Sequence, residues 1–164
     1  MVEELSKGMA RLSSQNVEFT VHRFEYLEGG GTLRSSAILG LDEHAIIKTL
    51  VFENKESGPL VVLMHGDLNV DTKRLAVELS MSKIWSCSPE AATNFSGWPI
   101  GATNPFALKI DMPIFMEGSI LRLPKMYING GGRGLIVGLD PTEFIRVIQS
   151  QLVHCAKEKR VLGS

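Results

Sequence analysis

At 164 residues with 44% hydrophobic side chains, the chain can bury a sizeable core and is expected to form a single domain over residues 1–164. Its formal net charge of −1 gives no global pull on nucleic acid. Contact with RNA would therefore rest on a few cations at a pocket mouth, and DNA is not an expected partner. No apolar run approaches the ~18 residues of a membrane span. The start Met1-Val2-Glu3-Glu4-Leu5 lacks a signal peptide's basic region, and Cys87 and Cys155 make neither a C-x-x-C pair nor a disulfide framework. These features point to a cytoplasmic protein.

In chain order, Val2 to Ser13 places Val2, Leu5, Met9 and Leu12 on one face of an amphipathic helix. Glu18 to Phe24 alternates as a short strand, and Glu28-Gly29-Gly30-Gly31 breaks the chain. Thr32 to Leu39 reads as a helix with Gly40 as its C-cap. Ile46 to Phe52 and Leu60 to Met64 are apolar on both parities and read as inner strands. Asp71 caps a helix through Leu79, with Leu75, Val77 and Leu79 available for the core. Lys83 to Cys87 is a short strand, and Ser88-Pro89-Glu90 opens a helix ending near Phe95.

Further on, Ala107 to Ile110, Ile114 to Met116, Met126 to Asn129 and Leu135 to Leu139 read as short strands. Asp140-Pro141-Thr142-Glu143 starts a last helix with Phe144, Val147, Ile148 and Leu152 inward, and Lys157 to Arg160 reads as a solvated charged tail. Several strands mixed with helices make an α/β class domain of mixed α+β type, a curved mixed sheet flanked by helices.

Gly97-Trp98-Pro99-Ile100-Gly101-Ala102-Thr103-Asn104-Pro105-Phe106 can be neither helix nor central strand, because its prolines remove donors and its glycines admit unusual backbone angles. It is either a plain surface turn or a shaped loop with N–H groups free for a ligand. Lys48 shares a strand face with Ile46, Leu50 and Phe52. It either snorkels to solvent or points into a pocket that receives an anion, and a buried lysine could also form a Schiff base. Gly130-Gly131-Gly132-Arg133-Gly134 is a hairpin turn or a pocket wall, with Arg133 available to a phosphate or to Asp140. His22, His44, His65 and His154 show no metal-ligand spacing, and no G-x-S-x-G elbow or flanked cysteine nucleophile is present.

Lys48-Thr49-Leu50-Val51-Phe52, Gly101-x-x-x-Pro105 and Tyr127 to Gly134, in that order, resemble the YbaK/ProX family of aminoacyl-tRNA editing domains, relatives of the insertion domain of bacterial prolyl-tRNA synthetases. The resemblance spans about residues 17–153. It implies a deacylase that cleaves an amino acid wrongly attached to tRNA, foremost Cys-tRNA(Pro), with Ala-tRNA(Pro) or a non-catalytic tRNA-end binder as alternatives. It implies no metal or organic cofactor. The tRNA acceptor end is the expected partner, with a prolyl-tRNA synthetase as a further one.

By the same resemblance Lys48 and Gly101 are the catalytic positions. Phe24, Thr49, Trp98, Ala102, Thr103, Asn104, Pro105, Asn129, Gly130, Gly131 and Arg133 are the substrate-binding ones, with Trp98 a platform for the terminal adenine. In the cysteinyl branch the substrate's own thiol attacks the ester; in others water does. Phe24 and Trp98 stand where the family commonly has tyrosine, Thr103-Asn104 where an aliphatic-serine pair is common, and Asn129 where serine is frequent. These departures bear on which amino acid is accepted.

Overall fold

A computed structural model describes residues 4–160. Its strands are β1 (Thr20–Arg23), β2 (Ile46–Asn54), β3 (Gly58–His65), β4 (Leu68–Val70), β5 (Ile84–Ser86), β6 (Ile114–Glu117), β7 (Met126–Asn129), β8 (Leu135–Leu139), β9 (Gln151–Val153) and β10 (Ala156–Glu158). The helices are α1 (Lys7–Ser14), α2 (Gly31–Leu39), α3 (Thr72–Glu78), α4 (Pro89–Ser96) and α5 (Pro141–Val147), with single 3-10 turns at Glu43–Ala45 and Gly118–Arg122. Eight strands make one mixed sheet in the order β1-β8-β7-β2-β3-β6-β9, with β5 also paired to β2; β4 and β10 form a separate ribbon.

The apolar runs on both parities explain why β2 and β3 sit at the centre. On one face Ile47, Val51, Val61 and Leu63 pack with Met9 and Leu12 of α1 and Phe144 of α5. On the other, Phe52, Leu60, Val62 and Met64 pack with Leu75 of α3 and Ile84 of β5. Period-two alternation sends successive side chains to opposite cores. The antiparallel ladder from Ile47↔His65 to Asn54↔Gly58 sets the register of the pair.

Capping fixes the helix ends as the sequence signals suggest. Ser88, Asp71 and Asp140 each accept a backbone N–H of the first turn, from Ala91, Arg74 and Thr142 respectively. Gly40 closes α2, its N–H donating to Ser36 O. Helix α1 starts later than expected because Ser6 caps it, accepting from Met9 N and donating to Gly130 O at 2.7 Å. Leu5 is thereby left exposed, and Val2 lies outside the described residues.

Five further expectations are corrected. The strand of Glu18 to Phe24 is confined to Thr20–Arg23. Residues 107–110 form no strand: Lys109 N donates to Ser96 O, and Ala107 O accepts from Trp98 Nε1, so these backbone groups serve α4 and the following loop. Val77 is 81% exposed, while Ala76 takes the inward position on α3. Helix α5 stops at Val147 because Ile148 turns extended (ψ 96°), and Leu152 sits outward on β9 beside β6. The charged tail is in part structured, since Ala156–Glu158 pairs antiparallel with Leu68–Val70. No helix among the described residues is long and apolar enough to cross a membrane.

Candidate active site

The centre of the sheet is split. One edge of β2 pairs with β3 along almost its whole length, whereas the other edge is shared by two strands: β7 at Ile46 and Ile47, and β5 at Phe52 to Asn54. Between them, on that edge, Lys48 to Leu50 have no ladder partner, while Val51 O accepts from Cys87 N at 3.2 Å, and two hollows meet there. A cavity of about 390 Å³ is walled by Phe24, Tyr26, the Gly29–Gly31 turn, Thr32, Ile46, Ile136, Asn129 and Gly101. A second hollow of about 600 Å³ lies toward β4, β5 and β10. Lys48, Thr49, Leu50, Ile100 and Thr103 line both.

The loop after α4 closes this gap with its carbonyls tied back. Ile100 O accepts from Arg133 Nε at 2.9 Å and Tyr26 Oη at 3.3 Å. Gly101 O accepts from Asn129 Nδ2 at 2.9 Å, and Ala102 O from Asn104 Nδ2 at 2.9 Å. In a trans peptide the next N–H points opposite to the carbonyl. Ala102 N–H turns onto Pro99 O (3.0 Å), while the N–H groups of Gly101 and Thr103 have no acceptor among the described residues. Gly101 has φ +92°, and a Cβ there would run into the Tyr26 ring, 2.7 Å from Cζ and 2.9 Å from Oη besides Cε2. Only glycine suits the position. The Tyr26 ring is in turn held beneath the Arg133 guanidinium, 4.6 Å from its centroid.

Lys48 Nζ donates to Leu68 O at 2.6 Å. Burial pushes its pKa down from the ordinary 10.5, and nearby Lys159 adds to that, while Glu43 and Asp67 act in the opposite sense. An ammonium has three donors, so two remain for a ligand. Thr49 Oγ1 is the one buried side-chain polar atom without a hydrogen-bond partner among the described residues. Orphaned groups of this kind are rare in folded proteins and call for an explanation. Behind the site, His65 is fully buried between His44 O (2.7 Å) and Ser119 Oγ (2.8 Å), and His44 stacks on it while its Nδ1 donates to Asp67. No group of three or more His, Cys, Asp or Glu suited to a metal occurs among the described residues.

The aminoacyl-tRNA editing domain model matches residues 32–147. The chain belongs to the aminoacyl-tRNA editing domain family. Among curated relatives, the "Putative Cys-tRNA(Pro)/Cys-tRNA(Cys) deacylase EbsC" of Enterococcus faecalis is 22% identical over 93% of this chain and 93% of its own length. A Limosilactobacillus fermentum proline–tRNA ligase is 27% identical over 58% of this chain, a stretch that is 18% of the ligase. Two solved structures share the fold: the hypothetical protein APE2540 (TM-score 0.83, 17% identity, 93% of this chain and 100% of that one) and one described as "a putative trans-editing enzyme for prolyl tRNA synthetase" (TM-score 0.75, 18% identity, 94% and 99%).

In this editing domain the structure gathers Phe24, Lys48, Thr49, Gly101, Thr103 and Asn129 on the cavity wall. The seven other expected positions line neither hollow. Asn104 is fully buried and spans Ala102 O and Phe106 N, bracing the loop from within. Ala102 is buried beside it, and Pro105 faces a separate surface hollow with Arg11. Gly130 and Gly131 pack against the start of α1, where Gly8 N donates to Gly130 O.

Trp98 lines neither hollow, and its indole N–H donates to Ala107 O at 2.6 Å. Arg133 meets Ile100 O and Tyr26 rather than Asp140. Asn129 reaches the wall, but its side chain is fully engaged: Nδ2 donates to Gly101 O and Gly132 O, and Oδ1 accepts from Gly131 N and Gly132 N. Gly134 (φ +71°) lets the turn lie against the Phe24 backbone, whose N–H donates to Gly134 O. Tyr26 and Thr32 were missed. The glycine run beside them hides any periodicity, and only the tolerance of Gly101 for a neighbouring ring could have hinted at Tyr26.

Proposed function

We propose that this editing domain deacylates mischarged tRNA in trans, with Cys-tRNA(Pro) as its foremost substrate. The observation carrying this reading is the convergence, on one split of the sheet, of a cation (Lys48) and two backbone N–H groups without acceptors among the described residues (Gly101 and Thr103). That set suits an ester whose carbonyl oxygen gains negative charge as it is attacked.

The aminoacyl side chain enters the 390 Å³ cavity, against Phe24, Ile46 and Ile136. The ester carbonyl then lies over Gly101 and Thr103, and the two unspent Lys48 hydrogens hold the ribose and ester oxygens. With a cysteinyl ester the substrate's thiol supplies the attacking sulfur. A C–S bond forms at the carbonyl carbon, and the C–O bond to the ribose breaks. The thiol proton passes to the departing ribose oxygen, which releases a thiolactone and intact tRNA. No protein nucleophile is required, in keeping with thiols of Cys87 and Cys155 that burial first of all raises to about 12.

An apolar wall separates small side chains by only ~1–3 kcal/mol per methylene, so alanyl esters are the second substrate to assay. The test is release of labelled amino acid from Cys-tRNA(Pro) and Ala-tRNA(Pro), with wild type and Lys48→Ala side by side. Cysteine release that disappears in the variant supports the reading. Alanine release would move the attack to water, and no release of either would overturn the deacylase.

A further inference from the structure

The second hollow has no assigned occupant. Its walls mix apolar side chains (Leu50, Phe52, Val70, Ala92) with hydrogen-bonding ones (Asn69, Thr72, Ser86, Thr103) and two ammonium groups, Lys48 and Lys157, and no carboxylate lines it. Lys157 stands on β10 directly across from Asn69 of β4, so the ribbon carries both to the hollow's rim. Lys159 follows two residues later and is close enough to bear on Lys48. The ribbon is firmly placed. Glu117 Oε1 accepts from Cys155 N (2.8 Å) and Ala156 N (3.1 Å), and Asp71 N donates to Cys155 O (2.7 Å).

We infer that the second hollow receives the 3′-terminal nucleotides of the RNA and that Lys157 holds a backbone phosphate there. This rests on the deacylase reading for the direction of the chain, since the ester must lie on the wall common to both hollows. The two halves of an aminoacyl ester then sort by chemistry. The cavity walled by Phe24, Ile46 and Ile136 takes the amino acid, and the hollow that has Asn69 and Lys157 of the ribbon at its rim takes sugar and phosphate. The charged C-terminal ribbon thereby becomes a local electropositive rim on a chain whose net charge is only −1.

The test is binding of an unacylated single-stranded RNA ending in CCA, by fluorescence anisotropy across a series of KCl concentrations, with full-length protein. Lys157→Ala should weaken binding on the order of 5- to 10-fold and reduce the slope of log K against log salt by about 0.7, the share of one single-strand phosphate. Lys157→Arg should restore both, and Lys55→Ala, on an exposed turn away from either hollow, should change neither. Unchanged affinity and slope in Lys157→Ala would overturn the inference. So would equal losses in the Ala and Arg variants with a lowered melting temperature, or no measurable binding by wild type. Because the probe carries no ester, loss of binding in the variant supports the inference even where deacylation of charged tRNA fails, and deacylation with binding indifferent to Lys157 sinks the inference alone.

Discussion

Adding one methyl group at Gly101 tests the loop geometry directly. At φ +92° an alanine is held in a region L-residues avoid, at a cost of about 1–3 kcal/mol. Its Cβ also meets the Tyr26 ring, so the ring must swing away. That gives up the contact with Arg133, about 0.5–1 kcal/mol at an exposed site, and the long bond to Ile100 O. Gly101→Ala should thus lose roughly 2–4 kcal/mol of stability in urea unfolding. Deacylation should fall further than stability does. Displacing one oxyanion donor is worth up to about 10²–10³ in kcat, and the Gly101 N–H is fixed only while Ile100 O stays tied. Removing the ring from the same background separates the two costs: Tyr26→Ala with Gly101→Ala should recover about 1 kcal/mol relative to the sum of the single changes. Turnover and stability of Gly101→Ala within error of wild type would refute the reasoning. Strict additivity would show that Tyr26 does not fill the space Gly101 leaves.

Other residues give sharper single readouts. Lys48→Ala should abolish deacylation while leaving a folded protein, and the wild-type rate, corrected for base hydrolysis, should fall as pH rises through a value below 10.5. Lys48→Arg should flatten that limb, since a guanidinium keeps its charge; a limb unchanged in the arginine variant would detach it from Lys48. Thr49→Val removes an unpartnered buried hydroxyl, so stability should rise by about 1 kcal/mol; lowered stability by thermal melting would show the hydroxyl to be satisfied. Asn104→Ala strips two internal braces and should lower stability by about 1–3 kcal/mol and slow turnover with it.

Glu117→Gln tests the acid limb. Burial alone would raise its pKa, but donors from Cys155, Ser119 and Ala156 more than reverse this and hold it below 4.5. Its contribution is therefore present above the ordinary carboxylate range and lost as pH falls through the lowered folded value. The amide variant should be about 2–3 kcal/mol less stable at pH 7 and should lose less than wild type on acidification; parallel pH–stability curves would remove Glu117 from that limb.

The central strands were legible because β2 and β3 are apolar on both parities, a pattern that fits a sheet covered on both faces. The capped helices were legible for an equally local reason: an Asp or Ser cap, followed in α4 and α5 by a proline and an acid, decides its own first turn. What escaped depended on partners distant in sequence. Residues 107–110 have strand-like side chains, but their backbone groups are claimed by Trp98 and Ser96. β9 and β10 look like the end of a helix and a tail until β6 and β4 supply edges. The site divides the same way. Lys48 broke the pattern of its own strand and so stood out, whereas Tyr26 matters through contacts distant in sequence, with Ile100, Gly101 and Arg133.

The glycine–proline loop therefore acts less by being open than by being bound on one side. Tyr26, Arg133, Asn129 and Asn104 each capture a carbonyl of residues 100–102. Every captured carbonyl forces the next N–H to the other side of the peptide plane. Proline at 99 and at 105 limits how far the segment can relax at its ends. On the proposed deacylation, the donors at Gly101 and Thr103 are thus set before substrate arrives, and little reorganisation remains when negative charge develops. Departures such as Asn129 and the Thr103-Asn104 pair belong to this scaffolding as much as to substrate contact. Specificity is then to be sought mainly at Phe24 and the other apolar walls, and RNA affinity at the ribbon, two functions that the split in the sheet keeps physically apart.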